Sequence, residues 1–418
     1  MEFEISRAFA QQMDRDDPLA SFRNKFHIPQ FNGKDSIYFC GNSLGLQPKT
    51  AKEHILRDLK NWEELGVEGH FTGEWQWVDY HKRFRKPLAN LVGAKESEVV
   101  AMNNLTVNLH LAMVSFYRPT KEKFKIICEG HAFPSDQYAF ESQVKHHGFD
   151  PEEAIIELTP KEGEETIQTE DILSTIEAHK DETALIIIGG LQYYTGQFFD
   201  LKTIANYAKQ HNITFGVDLA HGVGNIPMQL HDWRVDFAVW CSYKYLNSGP
   251  GAVSGMFVHE KHHHNVDLPR FAGWWGHEEK ERFMMKKGFI PIPSADGWQL
   301  SNCPIFNMSA HYASLEVFEE AGIENLRTKS LKLSGYLIFL LEHLDFIKII
   351  TPKTDNDRGC QVSMYVEENG KAIFNYLQEH GVIADWREPN VIRIAPVPLY
   401  NTFEEVYQFY SILKEAKG

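Results

Sequence analysis

Ile213-Thr-Phe-Gly-Val-Asp218 is an apolar run that ends on an acid, and Phe237-Ala-Val-Trp-Cys-Ser-Tyr-Lys244 is an apolar run followed by a base. Short runs of this kind are typical of strands that are buried on both faces of a parallel sheet. The carboxyl ends of parallel strands open onto one crevice. We therefore expect Asp218 and Lys244 to lie close together at that edge of the sheet.

Further apolar runs alternate with helix-like stretches along the chain. The other runs cover residues 99–102, 124–128, 154–158 and 184–188. The helix-like stretches cover residues 48–65, 77–91, 138–146, 169–178 and 201–209. This alternation predicts an α/β fold, in which a mostly parallel sheet is sandwiched by helices.

The part of the chain after Pro304 has a different pattern. A long helical stretch runs to about Leu344, and the remainder is typical of strand, strand, helix, strand and helix in turn. This pattern predicts a smaller α+β domain, and a length of 418 residues also favours two domains. We predict a large domain at 66–310, a small domain at 311–418 and an N-terminal segment, 1–65, that contributes to the small domain.

Charge and cysteine content narrow the class of protein. The net charge of −15 disfavours nucleic acid or an anionic membrane as a partner, because both favour a basic surface. The longest apolar run, near residues 184–188, is too short to span a bilayer. The five cysteines are scattered without a Cys-x-x-Cys pair, and no secretory signal is evident. We therefore expect a reduced, cytoplasmic protein.

Asp218 and Lys244 are the two groups that pyridoxal phosphate requires. A lysine holds the aldehyde of this cofactor as a Schiff base, and a carboxylate keeps its ring nitrogen protonated. His221 follows Asp218 by three residues, so both side chains can face one ligand on a starting helical turn. The plainer alternatives are a helix cap for Asp218 and a solvated surface position for Lys244.

Three further segments suit the same cofactor or its substrate. Leu105 and Thr106 open a predicted helix, whose free N–H groups suit a phosphate. In Phe133-Pro-Ser-Asp136 the aromatic ring could stack on a flat cofactor. Arg393 lies in an alternating strand, where it could bind a substrate carboxylate. The alternatives are an ordinary threonine cap, an acid in a first helical turn and a solvent-facing arginine.

The histidine-rich stretch His259-Glu-Lys-His-His-His264 does not indicate a metal site. Consecutive histidines point in different directions and do not readily converge on one ion. We predict a hydrated surface loop there and no metal in the protein. Gly189-Gly190 and Gly249-Pro-Gly251 do not form a dinucleotide fingerprint.

Taken in order, eleven segments spread over about residues 20–412 resemble the kynureninase family, whose members are fold-type I pyridoxal phosphate enzymes of the aspartate aminotransferase superfamily. The segments are Gly41–Pro48, Asn104–His110, Ala132–Asp136, Tyr194–Gln197, Gly216–His221, His231–Trp233, Trp240–Asn247, Gly273–His277, Ser301-Asn302, Arg358–Cys360 and Ile392–Asn401. The resemblance implies the fold-type I architecture, with a mostly parallel, seven-stranded sheet and a smaller α+β domain.

The resemblance also implies pyridoxal 5'-phosphate as the cofactor and assigns catalytic roles to Lys244, Asp218 and Tyr243. Lys244 would hold the cofactor and act as general base, Asp218 would pair with the ring nitrogen, and Tyr243 is a candidate proton donor. The other implied cofactor-binding residues are Leu105, Thr106, Phe133, Asp136, His221, Trp274 and Asn302. The implied substrate-binding residues are Ser43, His70, Ser301, Asn302 and Arg393. The Trp274 segment would reach the neighbouring subunit's cofactor, which implies a homodimer with its active site at the interface.

The implied reaction is hydrolysis of the Cβ–Cγ bond of L-kynurenine or 3-hydroxy-L-kynurenine to an anthranilate and L-alanine. It belongs to tryptophan catabolism and NAD biosynthesis. The polar pair His70 and Asn302 favours the 3-hydroxylated substrate. Gly189 departs from the family pattern, since some relatives place a serine there. The alternatives are a cysteine desulfurase, an aminotransferase and an inactive scaffold, and desulfurases usually carry a histidine where this chain has Tyr243.

Overall fold

The alternating strands and helices build a layered structure in the computed structural model, which describes residues 2–417. The strands are β1 (Gln30–Phe31), β2 (Lys34–Asp35), β3 (Ile37–Tyr38), β4 (Val99–Ala101), β5 (Lys125–Glu129), β6 (Ile155–Leu158), β7 (Thr183–Gly189), β8 (Thr214–Asp218), β9 (Phe237–Trp240), β10 (Gly255–Val258), β11 (Ile347–Ile349), β12 (Val362–Val366), β13 (Val382–Ile383), β14 (Asp385–Arg387) and β15 (Val391–Ile394). The α-helices are α1 (Arg7–Arg15), α2 (Ala51–Leu65), α3 (Arg85–Val92), α4 (Leu105–Phe116), α5 (Pro134–His146), α6 (Pro151–Ala154), α7 (Thr169–His179), α8 (Leu201–Gln210), α9 (Leu230–Trp233), α10 (Glu279–Arg282), α11 (Ile305–Ala321), α12 (Ile323–Leu341), α13 (Gly370–Glu379) and α14 (Phe403–Ala416).

The central sheet has seven strands in the order β4-β10-β9-β8-β7-β5-β6. The strands β5 to β9 are parallel to one another, whereas β10 runs antiparallel to both β9 and β4. The predicted α/β fold with a mostly parallel sheet is confirmed. The sequence pattern alone does not predict β10, because its apolar run is short and follows the turn-forming residues Ser248-Gly-Pro-Gly251.

Two predicted helices are divided in the structure. The stretch 77–91 forms a 3₁₀ helix, Trp77–Phe84, followed by α3, because Pro87 has no N–H and is tolerated only in the first turn of an α-helix. The long stretch after Pro304 is divided into α11 and α12 at Gly322. Gly322 has a φ of 75°, which residues with a side chain rarely adopt, so a glycine ends the helix there.

A second sheet, β11-β12-β15-β14, is antiparallel and has four strands. The helices α12 and α13 pack on it, and α14 packs on α1, α12 and α13. The strand β3 pairs in parallel with β13, with Ile37 opposite Val382, so residues near the N-terminus join the C-terminal layer. The predicted domain boundaries stay predictions, and the one at residue 311 falls inside α11.

Buried apolar side chains fill both faces of the central sheet, and a separate cluster lies between the second sheet and its helices. The separate cluster joins Ala10 and Met13 of α1 to Phe409 and Leu413 of α14. In residues 2–417, no helix is long and apolar enough to cross a membrane.

Two buried histidines make the stability of the fold depend on pH. Burial lowers the pKa of His311 to about 3 and that of His81 to about 4, against an ordinary value of 6.5. Below pH 6.5 the unfolded chain binds protons at these histidines that the folded chain does not bind. Their contribution to the free energy of unfolding is therefore fully present above pH 6.5 and is lost as the pH falls.

We expect each of the two histidines to remove about 2 kcal/mol of unfolding free energy between pH 7.5 and pH 5. Denaturant unfolding at both pH values measures the loss. His311→Gln, which can keep a hydrogen bond to Ser248, should lose less stability on acidification than the wild type. An equal loss in the two proteins would contradict the prediction.

Candidate active site

Polar side chains gather at the carboxyl edge of the central sheet. The strands β5, β7 and β8 end at Glu129, Gly189 and Asp218, and Gly189 pairs directly with Asp218. Lys244 follows the end of β9 on the loop toward β10. The expectation that Asp218 and Lys244 lie together is confirmed, because both line one cavity. Its lining is Leu105, Thr106, Glu129, Phe133, Ser135, Asp136, Gly189, Leu191, Tyr193, Asp218, Ala220, His221, Tyr243 and Lys244.

Lys244 is half-buried and faces aromatic and imidazole rings. Its Nζ lies 3.1 Å from Nε2 of His221 and 5.7 Å from the centroid of the Phe133 ring. Burial, with the charge of Lys244 as a further cause, holds the pKa of His221 well below its ordinary value. Neutral His221 can therefore accept a hydrogen bond from the Lys244 ammonium.

Asp218 is a buried carboxyl with 9% of its surface exposed. Its Oδ1 accepts a hydrogen bond from the Ala220 N–H at 2.6 Å. Burial raises the pKa of Asp218, although Asp136, Ala220 and Lys244 oppose the shift. Burial and the neighbouring Asp218 raise the pKa of Asp136 well above its ordinary value. A cationic ring nitrogen placed here would pair with Asp218 and favour its charged form.

Two helices begin at the rim of this cavity. Asn104 caps α4 by accepting a hydrogen bond from the Val107 N–H at 3.0 Å, and α5 begins with Pro134. The hydroxyl oxygens of Thr106 and Ser135 lie 2.7 Å apart. Free N–H groups and paired hydroxyls at helix starts suit a phosphate.

Arg393 lies on β15 of the second sheet and is only 1% exposed, so the alternative of a solvent-facing arginine is wrong. Its guanidinium pairs with Oδ2 of Asp385 at 2.7 Å and donates to the carbonyl of Tyr193 at 2.7 Å. Ser43 Oγ donates to the same Asp385 oxygen at 2.5 Å. Burial raises the pKa of Asp385, but the charge and hydrogen bond of Arg393, the hydrogen bond of Ser43 and the charge of Arg387 together outweigh it, and the net shift is downward.

Arg393 is connected to the cavity by its hydrogen bond to the carbonyl of Tyr193. The Tyr193 ring, which lines the cavity, packs edge-on against Phe133 with 5.5 Å between centroids. A small amino acid bound to Arg393 could therefore reach toward Lys244. Ser43 lies beside Arg393, with 3.4 Å from its Oγ to the guanidinium.

Besides Ser43 and Arg393, four predicted site residues lie outside the cavity lining of the single chain. Trp274 is 46% exposed, and its Nε1 donates to the Arg282 carbonyl at 3.0 Å. Ser301 and Asn302 are exposed and hydrogen-bonded to each other. His70 is bonded to the Val67 carbonyl at 3.1 Å. Their predicted roles stay predictions.

An aromatic patch joins two of these residues on the surface. We define the aromatic patch as His70, Phe71, Trp274 and Phe283. Phe283 lies 6.1 Å from Phe71 and 5.5 Å from Trp274 between ring centroids, and His70 lies 6.1 Å from Phe71. Half of the Phe71 and Phe283 surfaces are exposed, at 51% each. The patch therefore offers a large apolar contact surface.

The interpretation of the histidine run as a hydrated surface loop is wrong for His259 and His263, which are buried. Ligand atoms of Glu98, His231 and His259 lie within 4.8 Å of one another. The oxygens of Glu98, however, already accept the N–H groups of Lys95 and Glu260. Glu98 thus has a structural role in its hydrogen bonds to the main chain, and the expectation of no metal stays a prediction.

Five residues of this region were absent from the sequence-based prediction of the site: Glu129, Ser135, Tyr193, Asp385 and Arg387. Glu129 is the last residue of β5, so the rule that strand ends carry function would have found it. Asp385 and Arg387 alternate on β14, with Arg387 Nε 2.9 Å from Asp385. Nothing in the sequence pairs them with Arg393.

The residues present fit pyridoxal phosphate. Asp218 is a buried acid with no lysine or arginine within salt-bridge distance in residues 2–417, so it lacks the cation that a ring nitrogen would supply. Lys244 has no carboxylate partner in the same part of the chain, and Phe133 exposes 44% of its surface at the cavity. A phosphate would lie at the start of α4.

Sequence comparison gives full-length relatives at about half identity. A kynureninase from Flavobacterium psychrophilum is 54% identical over 420 residues, which cover 99% of each chain. A kynureninase from Nematostella vectensis is 49% identical over 99% of this chain and 94% of its own. A family model described as the kynureninase C-terminal domain matches residues 326–413, and one of the DegT/DnrJ/EryC1/StrS aminotransferase family matches residues 67–232.

Solved structures with a similar fold are more distant in sequence. A cysteine desulfurase from Thermococcus onnurineus NA1 has a TM-score of 0.74 at 17% identity and covers 97% of both chains. A cysteine desulfurase from Escherichia coli has a TM-score of 0.76 at 14% identity, over 96% of this chain and 98% of its own. These structures show the fold alone. On the strength of its full-length relatives, the chain belongs to the kynureninase family.

Proposed function

We propose that the chain hydrolyses the Cβ–Cγ bond of L-kynurenine or 3-hydroxy-L-kynurenine, using one water, to an anthranilate and L-alanine. The observation that carries the proposal is the placing of Lys244 and Asp218 in one cavity, with Arg393 bonded to Tyr193 of its lining, in a chain of this family. The reaction would serve tryptophan catabolism and NAD biosynthesis. We also propose a cytoplasmic location, which the five free thiols support.

The cofactor is pyridoxal phosphate. When bound, it stores the electron pair that is released next to the substrate nitrogen. We assign its covalent attachment to Lys244, its ring nitrogen to Asp218, its stacking partner to Phe133 and its phosphate to Leu105 and Thr106. Asp136 and His221 complete the surroundings of the ring.

Proton transfers fall to the residues beside the cavity. Freed Lys244 acts as general base toward the α-proton of the substrate, and His221 lies within hydrogen-bond distance to orient its amine. Burial raises the pKa of Tyr243, so its hydroxyl stays protonated and can donate to the β-carbon. Arg393 and Ser43 hold the α-carboxylate and so align the bond that breaks.

Release of anthranilate tests the proposed reaction. Anthranilate is much more fluorescent than kynurenine, so the formation of product can be followed continuously. The purified protein with pyridoxal phosphate should release an anthranilate and alanine in equal amounts. Absence of both products with either substrate would refute the function.

A cysteine desulfurase is the nearest rival on fold. That reaction needs a reactive thiolate on an accessible loop. Cys360 is fully buried, and burial raises its pKa to about 12. The remaining four cysteines are also free thiols, and burial raises the pKa of Cys40, the most accessible, to about 11. We therefore expect no release of sulfide from cysteine.

We propose that two copies of the chain share their active sites. The aromatic patch carries two residues with implied site roles, His70 and Trp274, and exposes a large apolar surface for a second copy. A two-fold dimer would place each patch against the other copy. The patch would then complete the cavity around the partner's Lys244.

Mixing inactive subunits tests this sharing. We expect Lys244→Ala and Trp274→Ala to be inactive or nearly so alone. Their mixed dimer should regain about half of the wild-type activity, because one of its two sites lacks both substitutions. Co-expression with two affinity tags yields the mixed dimer for assay.

The matched control is a mixed dimer of Lys244→Ala and Asp218→Ala. Both residues belong to the cavity of one chain, so each site keeps one substitution and no activity should return. Recovery in this control, or a monomeric mass for the active protein, would contradict the shared site.

Asn302 is the predicted determinant of the 3-hydroxyl preference. Its carboxamide can bond the ring hydroxyl of 3-hydroxykynurenine, whereas a threonine reaches less far. We expect Asn302→Thr to shift the ratio of kcat/KM toward kynurenine by roughly tenfold. Rates with the two substrates in both proteins measure the ratio, and an unchanged ratio would refute the prediction.

A further inference from the structure

Glu129 is a buried acid in the cofactor cavity to which neither the sequence motifs nor the proposed reaction gives a role. It ends β5, lines the cavity and is 5% exposed. Its Oε2 accepts a hydrogen bond from the Gly189 N–H at the end of β7. Within residues 2–417 its other oxygen, Oε1, has no hydrogen-bond partner. Since Glu129 lines the cavity, this oxygen is available to a ligand bound there.

Gly189 makes room for this carboxyl. A Cβ atom on residue 189 would lie 2.7 Å from Oε1 and 3.4 Å from Oε2 of Glu129. Since real Cβ atoms do not approach oxygen so closely, any side chain at position 189 would force the Glu129 carboxyl away. The carboxyl of Glu129 thus occupies the space of a side chain at position 189.

The surroundings of Glu129 decide which form of the carboxyl is present. Burial raises its pKa to about 7, the Gly189 N–H opposes this, and the charge of Asp218 adds to it. The other titratable groups that face the cavity are Asp136, Tyr193, Asp218, His221, Tyr243 and Lys244. A neutral carboxyl next to charged Asp218 can donate a hydrogen bond as well as accept one.

We propose that Glu129 is a further cofactor-binding residue. The Gly189 N–H holds its carboxyl, and the free Oε1 hydrogen-bonds the bound pyridoxal ring. This contact uses the space that a side chain at position 189 would otherwise fill. The inference rests on the proposed use of pyridoxal phosphate by this chain. It makes positions 129 and 189 a coupled pair, in which a change at either one disturbs the same contact.

A double-mutant cycle on cofactor binding tests the proposal. The cofactor-free forms of wild type, Glu129→Ala, Gly189→Ala and the double variant are titrated with pyridoxal phosphate, and the visible absorbance of the bound cofactor is recorded. We expect Glu129→Ala and Gly189→Ala each to weaken binding about tenfold. The double variant should be no weaker than either one, because both remove one contact.

The conservative variant and two controls separate binding from folding. Glu129→Gln keeps the shape and hydrogen-bonding groups, so its affinity should stay within about threefold of wild type, while the change of the cofactor absorbance with pH near 7 is lost because the amide cannot ionise. Glu157→Ala removes an exposed acid of the neighbouring strand β6, outside the cavity, and should change neither quantity. Thermal unfolding of the cofactor-free variants shows whether any has lost its fold.

Three results would overturn the proposal. Unchanged affinity and absorbance in a folded Glu129→Ala would show that Oε1 does not contact the cofactor. Additive losses in the double variant would show that the two positions are not coupled. A change of absorbance with pH that is the same in Glu129→Gln as in wild type would show that the Glu129 carboxyl does not act on the cofactor. A wild type that binds no pyridoxal phosphate would instead refute the proposed function and this inference with it.

Discussion

Lys244→Ala should lower kcat for kynurenine by about 10³-fold or more, and it should abolish covalent capture of the cofactor. The general base accounts for roughly 10²–10⁴-fold of such a rate, and the cofactor loses its attachment as well. His221, whose pKa is held low by burial, remains neutral and can supply only weak replacement. Steady-state assays and reduction with borohydride, which fixes attached cofactor to the chain, measure the two effects.

Lys202→Ala is the matched control, because Lys202 is an exposed residue of α8 away from the cavity lining. It should retain full turnover and full covalent capture. Wild-type turnover in Lys244→Ala, or cofactor still fixed to the chain after reduction, would remove Lys244 from its assigned role. Addition of a small primary amine should restore part of the activity if only the base is missing.

Arg393→Lys should lower kcat/KM by roughly 10²-fold, mostly through KM. A guanidinium binds a carboxylate through two parallel hydrogen bonds, which an ammonium cannot reproduce. The loss corresponds to about 2.8 kcal/mol of binding free energy. Lysine keeps a positive charge near Asp385, which pairs with Arg393 at 2.7 Å, so the fold does not acquire an unpaired buried acid.

An amine analogue of kynurenine without the carboxylate provides the control for Arg393→Lys. Its inhibition constant should change by less than about threefold, since it makes no contact with the guanidinium. Equal weakening of the analogue and of kynurenine would show that the substitution distorts the whole cavity. Arg118→Lys, at an exposed position just after α4, should leave both values unchanged.

The rule that functional side chains lie at the ends of parallel strands explains what the sequence could predict. Asp218 and Lys244 follow strongly apolar runs, and a parallel sheet brings the ends of such runs together whatever the details of packing. The same rule places Glu129, yet its run ends Cys128-Glu129 without a motif to single it out. The positions of Asp218 and Lys244 could therefore be predicted from the order of the strands and helices alone.

Contacts between distant parts of the chain could not be predicted in this way. Asp385 and Arg393 meet because β14 pairs antiparallel with β15, with Asp385 opposite Arg393. A sequence pattern shows alternation in each strand but not the register between them. His259 likewise lies beside Glu98, which is far away in sequence.

Arg393 already has a carboxylate partner before any substrate arrives. Asp385 holds it, together with Ser43, so in the role proposed for Arg393 the entry of an amino acid exchanges one anion for another at the same cation. The guanidinium needs no new desolvation, while Asp385 can turn to Arg387, 2.9 Å away. Such an exchange favours ligands that present a carboxylate over all others, and it leaves small monocarboxylic acids as natural competitors for the site.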